Sequence, residues 1–523
     1  AHFTNTLIQF RDESIKLDSV RIVSENDNGF RDLLLRSSLV DLSLKGNFYY
    51  TTMFTDIERL VHEFMLNIKN DPIAVKKYYS EKRKSEQTYR AVIEANIHDL
   101  NPLFQVLDID LHTSPETKIE GVFSNSSTSN LHFFTRFDSL IYNGQEFAGN
   151  EVDFSGSKLR DSTQVLAQLT ITSESQQLSK ALKTKDLFLE GIWNKDHIDL
   201  RFDINQVGYN NSLRIASEVD FLADSTKIKI LPSEIRVLGE PWVINNRNYT
   251  LVKGQEWSVH NLGITHQHQA IHINGEVSKD PSRILQVDVR QFDMSLLNFF
   301  SQEKFKGILN ADIKQRDLYG DIFIENQLDI DSLTINNFLV GDVRGNNIRD
   351  PKTNHFNIDL TIDRLKNRMV DIKGYYDPKD KENPLHTKAI LEKANLKLLE
   401  PVVRDLFSQL DGTLTGVYTI EGTFGSPNIS GEAKIENGQV MINYLKTLYK
   451  VNGTLGMEPN KIMFNDFQLT DGFQNRGRLQ GYIAHKGFSK MRINLDASFN
   501  NFQVLNTTAK DNSLFYGQAF GTG

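Results

Sequence analysis

Between Gly412 and Phe502 the chain repeats one instruction: an apolar residue, then a polar one, then an apolar one. Leu414, Tyr418 and Ile420 alternate in this way, followed by Val440, Ile442 and Tyr444, then Ile462 and Phe464, then Met491, Ile493, Leu495, Ala497 and Phe499. A period of two over five to nine residues specifies strands with one dry face and one wet face. Turn formers separate the runs at Ser426-Pro427-Asn428, Asn437-Gly438 and Pro459-Asn460. Strands joined by such short connections pair antiparallel, as a meander. What covers the dry face is the question this pattern poses.

The same alternation recurs upstream. It is read at Leu42, Leu44 and Phe48, at Leu131 and Phe133, at Ile198, Leu200, Phe202 and Ile204, and at Leu213, Ile215 and Val219. Ile271, Ile273 and Val277 share a face, as do Leu285, Val287 and Val289, and Phe356, Ile358, Leu360 and Ile362. Helical spacing interrupts it in few places. Ile57, Leu60, Val61, Phe64 and Ile68 form one stripe, with Thr55 and Glu58 at capping-box spacing and Asp71-Pro72 as the stop. A second helix is expected over 73–88, where Lys76, Lys77, Lys82, Arg83 and Lys84 read as a solvated face. Contact with anionic lipid headgroups is the sharper reading of that run. Short helices are also expected over Met294–Phe300 and from about Glu400 to Gln409.

A helix followed by a string of strands recurs at Leu100, Phe292 and Leu396. We divide the chain accordingly: 1–90, strands plus amphipathic helices; 91–290, a first run of one-sided strands; 291–395, a repeat of it; 396–523, the start of a further domain. A sheet this long with so few helices cannot hide its dry face under helices. Sandwiches, an outer-membrane barrel, or a trough filled by lipid remain. Interrupting helices and the lack of an aromatic girdle count against the barrel. We expect a mainly β protein, an elongated antiparallel groove of many stacked strands with a few short amphipathic helices. Some 35 strands at ~4.8 Å would extend on the order of 160 Å.

Composition removes other classes. With 59 Lys+Arg against 67 Asp+Glu and a net charge of −8, the chain lacks the basic stripe that nucleic acid requires. It has no Cys, so neither disulfides nor thiol chemistry. No phosphate-binding loop, dinucleotide fingerprint or nucleophile elbow appears, no catalytic set is found, and no cofactor is expected. His260, His266, His268 and His272 are all even-numbered, and an unbroken strand would place them on one face. Their neighbours Ile271 and Ile273 mark the opposite face as dry, so His272 reads as water-facing, and no metal is expected.

Several stretches resemble a known family. Gly412-Thr-Leu-Thr-Gly, Gly425-Ser-Pro-Asn-Ile-Ser-Gly-Glu-Ala, Ile435-Glu-Asn-Gly-Gln-Val, Tyr449-Lys-Val-Asn-Gly-Thr-Leu and Phe515-Tyr-Gly-Gln-Ala look like the C-terminal domain of the TamB family. That family belongs to the AsmA-like, bridge-like lipid-transfer proteins. Gly239-Glu-Pro-Trp-Val-Ile and Gln269-Ala-Ile-His-Ile-Asn-Gly resemble its strand pattern upstream. The resemblance implies a β-taco in the periplasm of a Gram-negative bacterium, held to the inner membrane by an N-terminal anchor that this sequence does not contain. It implies phospholipid as cargo between inner and outer membranes, and an outer-membrane assembly barrel of the TamA type as partner. A β-rich scaffold or chaperone for outer-membrane protein assembly is the alternative. Read from alternation, the groove would be lined by Ile271, Ile273, Phe356, Ile358, Leu360, Leu414, Tyr418, Ile420, Val440, Ile442, Phe464, Met491, Ile493, Leu495 and Phe499.

Overall fold

The computed structural model describes all residues except 11–12, 83–86, 107–108, 161, 180–181, 300, 302, 318, 320–322, 351, 404–405, 424–425, 487–488 and 512–515. The protein is mainly β, with 68% of residues in strands and 10% helical, and its strands pair antiparallel. Among the described residues thirty-two strands are paired as sheet, and Phe502–Thr507 with Gly517–Gly521 form a separate ribbon. The chain divides into two compact units. One comprises Ala1–Leu285 and Phe299–Gln302, the other Gln286–Asn298 and Glu303–Gly523. The sequence divisions near 91 and 396 fall inside these units.

Hairpins are built from residues that accept a left-handed backbone. Asn28-Gly29 and Asn143-Gly144 both carry positive φ and close two-residue turns, as a type I′ turn requires. Of the expected turns, Pro459-Asn460 closes the pair Glu458↔Lys461. Asn437-Gly438 does not turn the chain. It lies inside the strand Ser426–Ile442, where the register shifts between Ile435 and Gly438 and Asn437 has φ +52°. A bulge and a hairpin both need a left-handed residue, so the sequence signal fits either. Pro427 likewise sits within that strand opposite Gly422, and Ser426 pairs with Thr423.

Helix α1 spans Tyr50–Lys69 and so begins a turn before the Thr55 cap expected from sequence. Its N-cap, Tyr49, makes no side-chain capping bond, while Phe48 just ahead is fully buried and fixes the entry. Asn70, left-handed, ends α1, and Pro72 instead opens helix α2 (Pro72–Glu81), capped by Asp71 on the amides of Ile73 and Ala74. The remaining expected helices are short: Met294–Phe299 is a 3-10 turn and Glu400–Val403 a single α-turn. Phe407 already begins a strand.

In the first unit the sheet divides locally. The strand Ser212–Phe221 pairs with Glu234–Val237 over one half and with Thr226–Ile230 over the other. The strand Glu256–His266 likewise meets Glu240–Ile244 and Tyr249–Lys253. Side chains take over the missing rungs. The buried Asn248 amide accepts from Ile230 N at 2.9 Å and donates to Ile230 O at 2.8 Å. Ser233 Oγ accepts from Ala216 N at 3.1 Å.

Candidate apolar ligand surface

Residues paired across antiparallel strands point to the same face, so a row can be followed from strand to strand. In the second unit, twelve strands from Phe305–Arg316 to Ser489–Phe499 carry two such rows. One runs Leu309, Ile330, Val343, Ile362, Val370, Leu391, Gly416, Ala433, Leu455, Phe464, Gly481, Leu495. The other runs Ala311, Leu328, Gly345, Leu360, Ile372, Ala389, Tyr418, Gly431, Met457, Ile462, Ile483, Ile493. Apart from the Tyr418 hydroxyl, neither row contains a polar side-chain group. The opposite face over the same strands reads Asn310, Asp329, Arg344, Thr361, Asp371 before it reaches Ile390.

Bulges preserve this segregation. Where the register shifts at Ile435/Gly438, apolar positions change from odd to even, and Val440 and Ile442 stay on the face of Ile435. Every candidate named in the second unit therefore lies on one face, at different depths. Phe356, Leu414 and Tyr418 are buried, and Leu414 and Tyr418 belong to a core closed by Leu396, Val403 and the ribbon residue Phe502. The Tyr418 hydroxyl donates to Leu455 O at 2.9 Å, and burial pushes its pKa up to about 12. Ile358, Leu360, Ile420, Val440, Ile442, Phe464, Leu495 and Phe499 are half-buried, whereas Met491 and Ile493 are exposed, Ile493 at 72%. The inner face of a sandwich would bury such residues almost completely.

The first unit repeats the arrangement and adds a helix. The rows Leu33, Leu44, Ile93, Gly121, Phe133, Phe154, Leu169 and Leu35, Leu42, Ala95, Ile119, Thr135, Val152, Ile171 cross seven strands, and most of these side chains are half-buried. A third row, Ala91, Phe123, Leu131, Gly156, Ala167, Trp193, lies beneath α1. Phe64 comes so close that a Cβ on Gly156 would stand 2.8 Å from its ring. Leu60, Phe64 and Met53 are buried here, each worth roughly 1.5–3 kcal/mol. Ile271 and Ile273 pair with Ile264 and Leu262 elsewhere in this unit and are half-buried.

One flank of α1 is charged and buried. Glu63 lies 2.7 Å from Lys82 Nζ and 3.1 Å from Lys158 Nζ, and accepts from the hydroxyls of Tyr78 and Tyr79. Burial alone would raise the Glu63 carboxyl, but Lys82 and Lys158 outweigh it and hold it below the ordinary carboxylate range. Burial, opposed by Glu63, pulls the Lys158 ammonium down. Asp56 takes hydrogen bonds from Tyr89 and Asn125 and pairs with Arg59 at 2.9 Å. Lys82, expected on a solvated face, is thus an anchor, while Arg83 and Lys84 lie outside the described residues. No sequence spacing links Glu63 to Lys158, 95 positions on; only the fold does.

The histidines are not gathered. A bulge between Val259 and Leu262 puts His260 and His266 on opposite faces, where they stack on Tyr249 and Trp242 respectively. Among the described residues no group of side chains suited to a metal is found, and no helix is long and apolar enough to cross a membrane. No family model, curated protein or solved structure matches the chain.

Proposed function

We propose that this chain is a lipid-conducting segment of a bridge-like transfer protein, working in the periplasm on phospholipids that pass between inner and outer membranes. It performs no catalysis. The supporting observation is the pair of rows over twelve strands, polar only at the Tyr418 hydroxyl, most of whose side chains remain half-buried. Acyl chains complete that burial at roughly 0.8 kcal/mol per methylene, so a lipid is held without a dedicated polar pocket and can slide from strand to strand. Headgroups stay in water. The resemblance to the TamB family supports the same reading, and with it a TamA-type barrel as partner.

The test is lipid analysis of the purified chain by mass spectrometry, with Ile493→Arg and Leu495→Asp beside the parent. Bound phospholipid that falls in both variants, with unchanged circular dichroism, agrees with the proposal. Equal retention removes those two residues from the path. Bound peptide in place of lipid favours the scaffold or chaperone reading.

A further inference from the structure

Helix α1 carries more apolar surface than it buries. At 100° per residue, Leu60, Phe64 and Met53 form the arc that meets the sheet, and the charged Asp56, Arg59 and Glu63 form one flank. The other flank holds Phe54, Val61, Met65 and Ile68, all apolar and all about half exposed (47–54%). The stripe expected from sequence is therefore wider than the contact it makes. An ordinary surface helix places polar residues there.

The direction of that flank follows from what the charged flank touches. Asp56 and Glu63 reach Asn125 and Lys158, which pair through Ser129 in the row beyond Phe123, at the strand ends. The apolar flank points the opposite way, along the sheet toward the half-buried rows through Ile93 and Phe154, which meet the edge of the α1 core. Ile57, at the edge of the buried arc, packs with that side of the core. Helix flank and sheet rows thus bound one slot on two sides. From Phe54 to Ile68 the flank measures about 21 Å. One acyl chain spans about 15 Å, half of a bilayer's hydrocarbon core, so the slot accommodates a chain lying along α1. Near its C-terminal end, α2 presents Ile73, Lys76 and Lys77 on one exposed face, an apolar residue beside two cations suited to an anionic headgroup.

We infer that α1 is a fixed wall of an acyl-chain site in the first unit, with Val61, Met65 and Ile68 in contact with the chain and α2 beside the headgroup. This rests on the lipid reading above. The buried Glu63–Lys82–Lys158 cluster keeps the wall in place while lipid moves past it.

A photo-crosslinking amino acid placed at Val61, Met65, Thr55 or Ile483 in the full chain tests this, using phosphatidylethanolamine–phosphatidylglycerol vesicles as the probe. Phospholipid adducts are expected at Val61, Met65 and Ile483, with Thr55, exposed and turned about 80° or more away from the apolar flank of α1, silent. Met65→Glu should reduce the Val61 adduct roughly tenfold, the effect of about two methylenes lost from contact, and leave the Ile483 adduct intact. Lipid at Ile483 but not at Met65 or Val61 overturns the α1 site and leaves the general reading standing. Lipid at none of the positions overturns both. An adduct at Met65 to a second protein chain shows a docking face and also overturns the site.

Discussion

Beneath α1 the first unit looks like any well-packed protein, whereas the rows of the second unit do not. Under the helix, Phe123 and Ala91 are fully inaccessible, Trp193 nearly so, and two carboxylates and a lysine are buried among them. Across the second unit the rows are largely aliphatic, with Ala and Gly set between Leu, Ile and Val and aromatics only at Tyr418 and Phe464, and most of their side chains keep part of their surface. The backbone is the same in both: antiparallel strands with one apolar face. What differs is how much protein lies on that face: α1 lies across the first, whereas short helical turns and the terminal ribbon touch the second only locally, through Met294, Leu396 and Phe502. Where α1 covers it, large aromatics and paired charges fill the space; where little does, the chain supplies a smooth surface that specifies no partner shape.

Phe123→Ala should break the covered region most severely, costing about 3–5 kcal/mol because a cavity opens under α1. Leu360→Ala in the second unit should cost less than half of that. Urea unfolding of both variants checks the pair, and equal costs would mean that the rows are covered after all. Glu63→Gln should cost about 3–5 kcal/mol as well, since Lys158, its side chain 1% exposed, would be left buried without its carboxylate partner. Loss of helical circular dichroism before the β signal during the melt would place the damage at α1.

Ile493→Arg should change stability by less than about 0.5 kcal/mol, because the side chain is already exposed, while lowering retained lipid. A large loss of stability would show that this end of the row is protein-covered. The smallest effect comes from the wet face. His98 is raised by its hydrogen bond to Glu116, and His197 by its bond to Asp220 at 2.7 Å. Because the folded values lie above the unfolded one, these pairs stabilise fully below about pH 6.5 and lose their contribution as pH rises through the raised values. Stability should therefore fall slightly from about pH 6 to 8, less so in His197→Gln, as thermal melts at the two pH values would show.

Much of the sheet was legible because alternation is local: Phe356, Ile358, Leu360 and Ile362 name their own face without help from distant residues. Boundaries were less so. Asn437-Gly438 read as a turn because a bulge demands the same backbone. The 400–409 helix shrank because Phe407 gains more from pairing with Ile442, and Leu410 from burial in the core, than from a last helical turn. The groove candidates were read without depth, since alternation tells a residue's face and not what lies above it, so Leu414 and Ile493 looked equivalent. The anchor of α1 was invisible, because Glu63 and Lys158 meet only after several strands have folded between them. The free flank of α1 could have been noticed: Phe54 and Met65 extend the stripe beyond what one contact can cover.

The divided stretch between Ser212–Phe221 and Glu256–His266 behaves like a perforation in cloth. Its continuity is stitched by the amide of Asn248 and the hydroxyl of Ser233, two groups a single substitution can cut without touching any greasy residue. Shear applied to this unit should be absorbed along that seam first, so amide hydrogens at Ile230 and Ala216 should trade with solvent well before those of neighbouring full-length rungs.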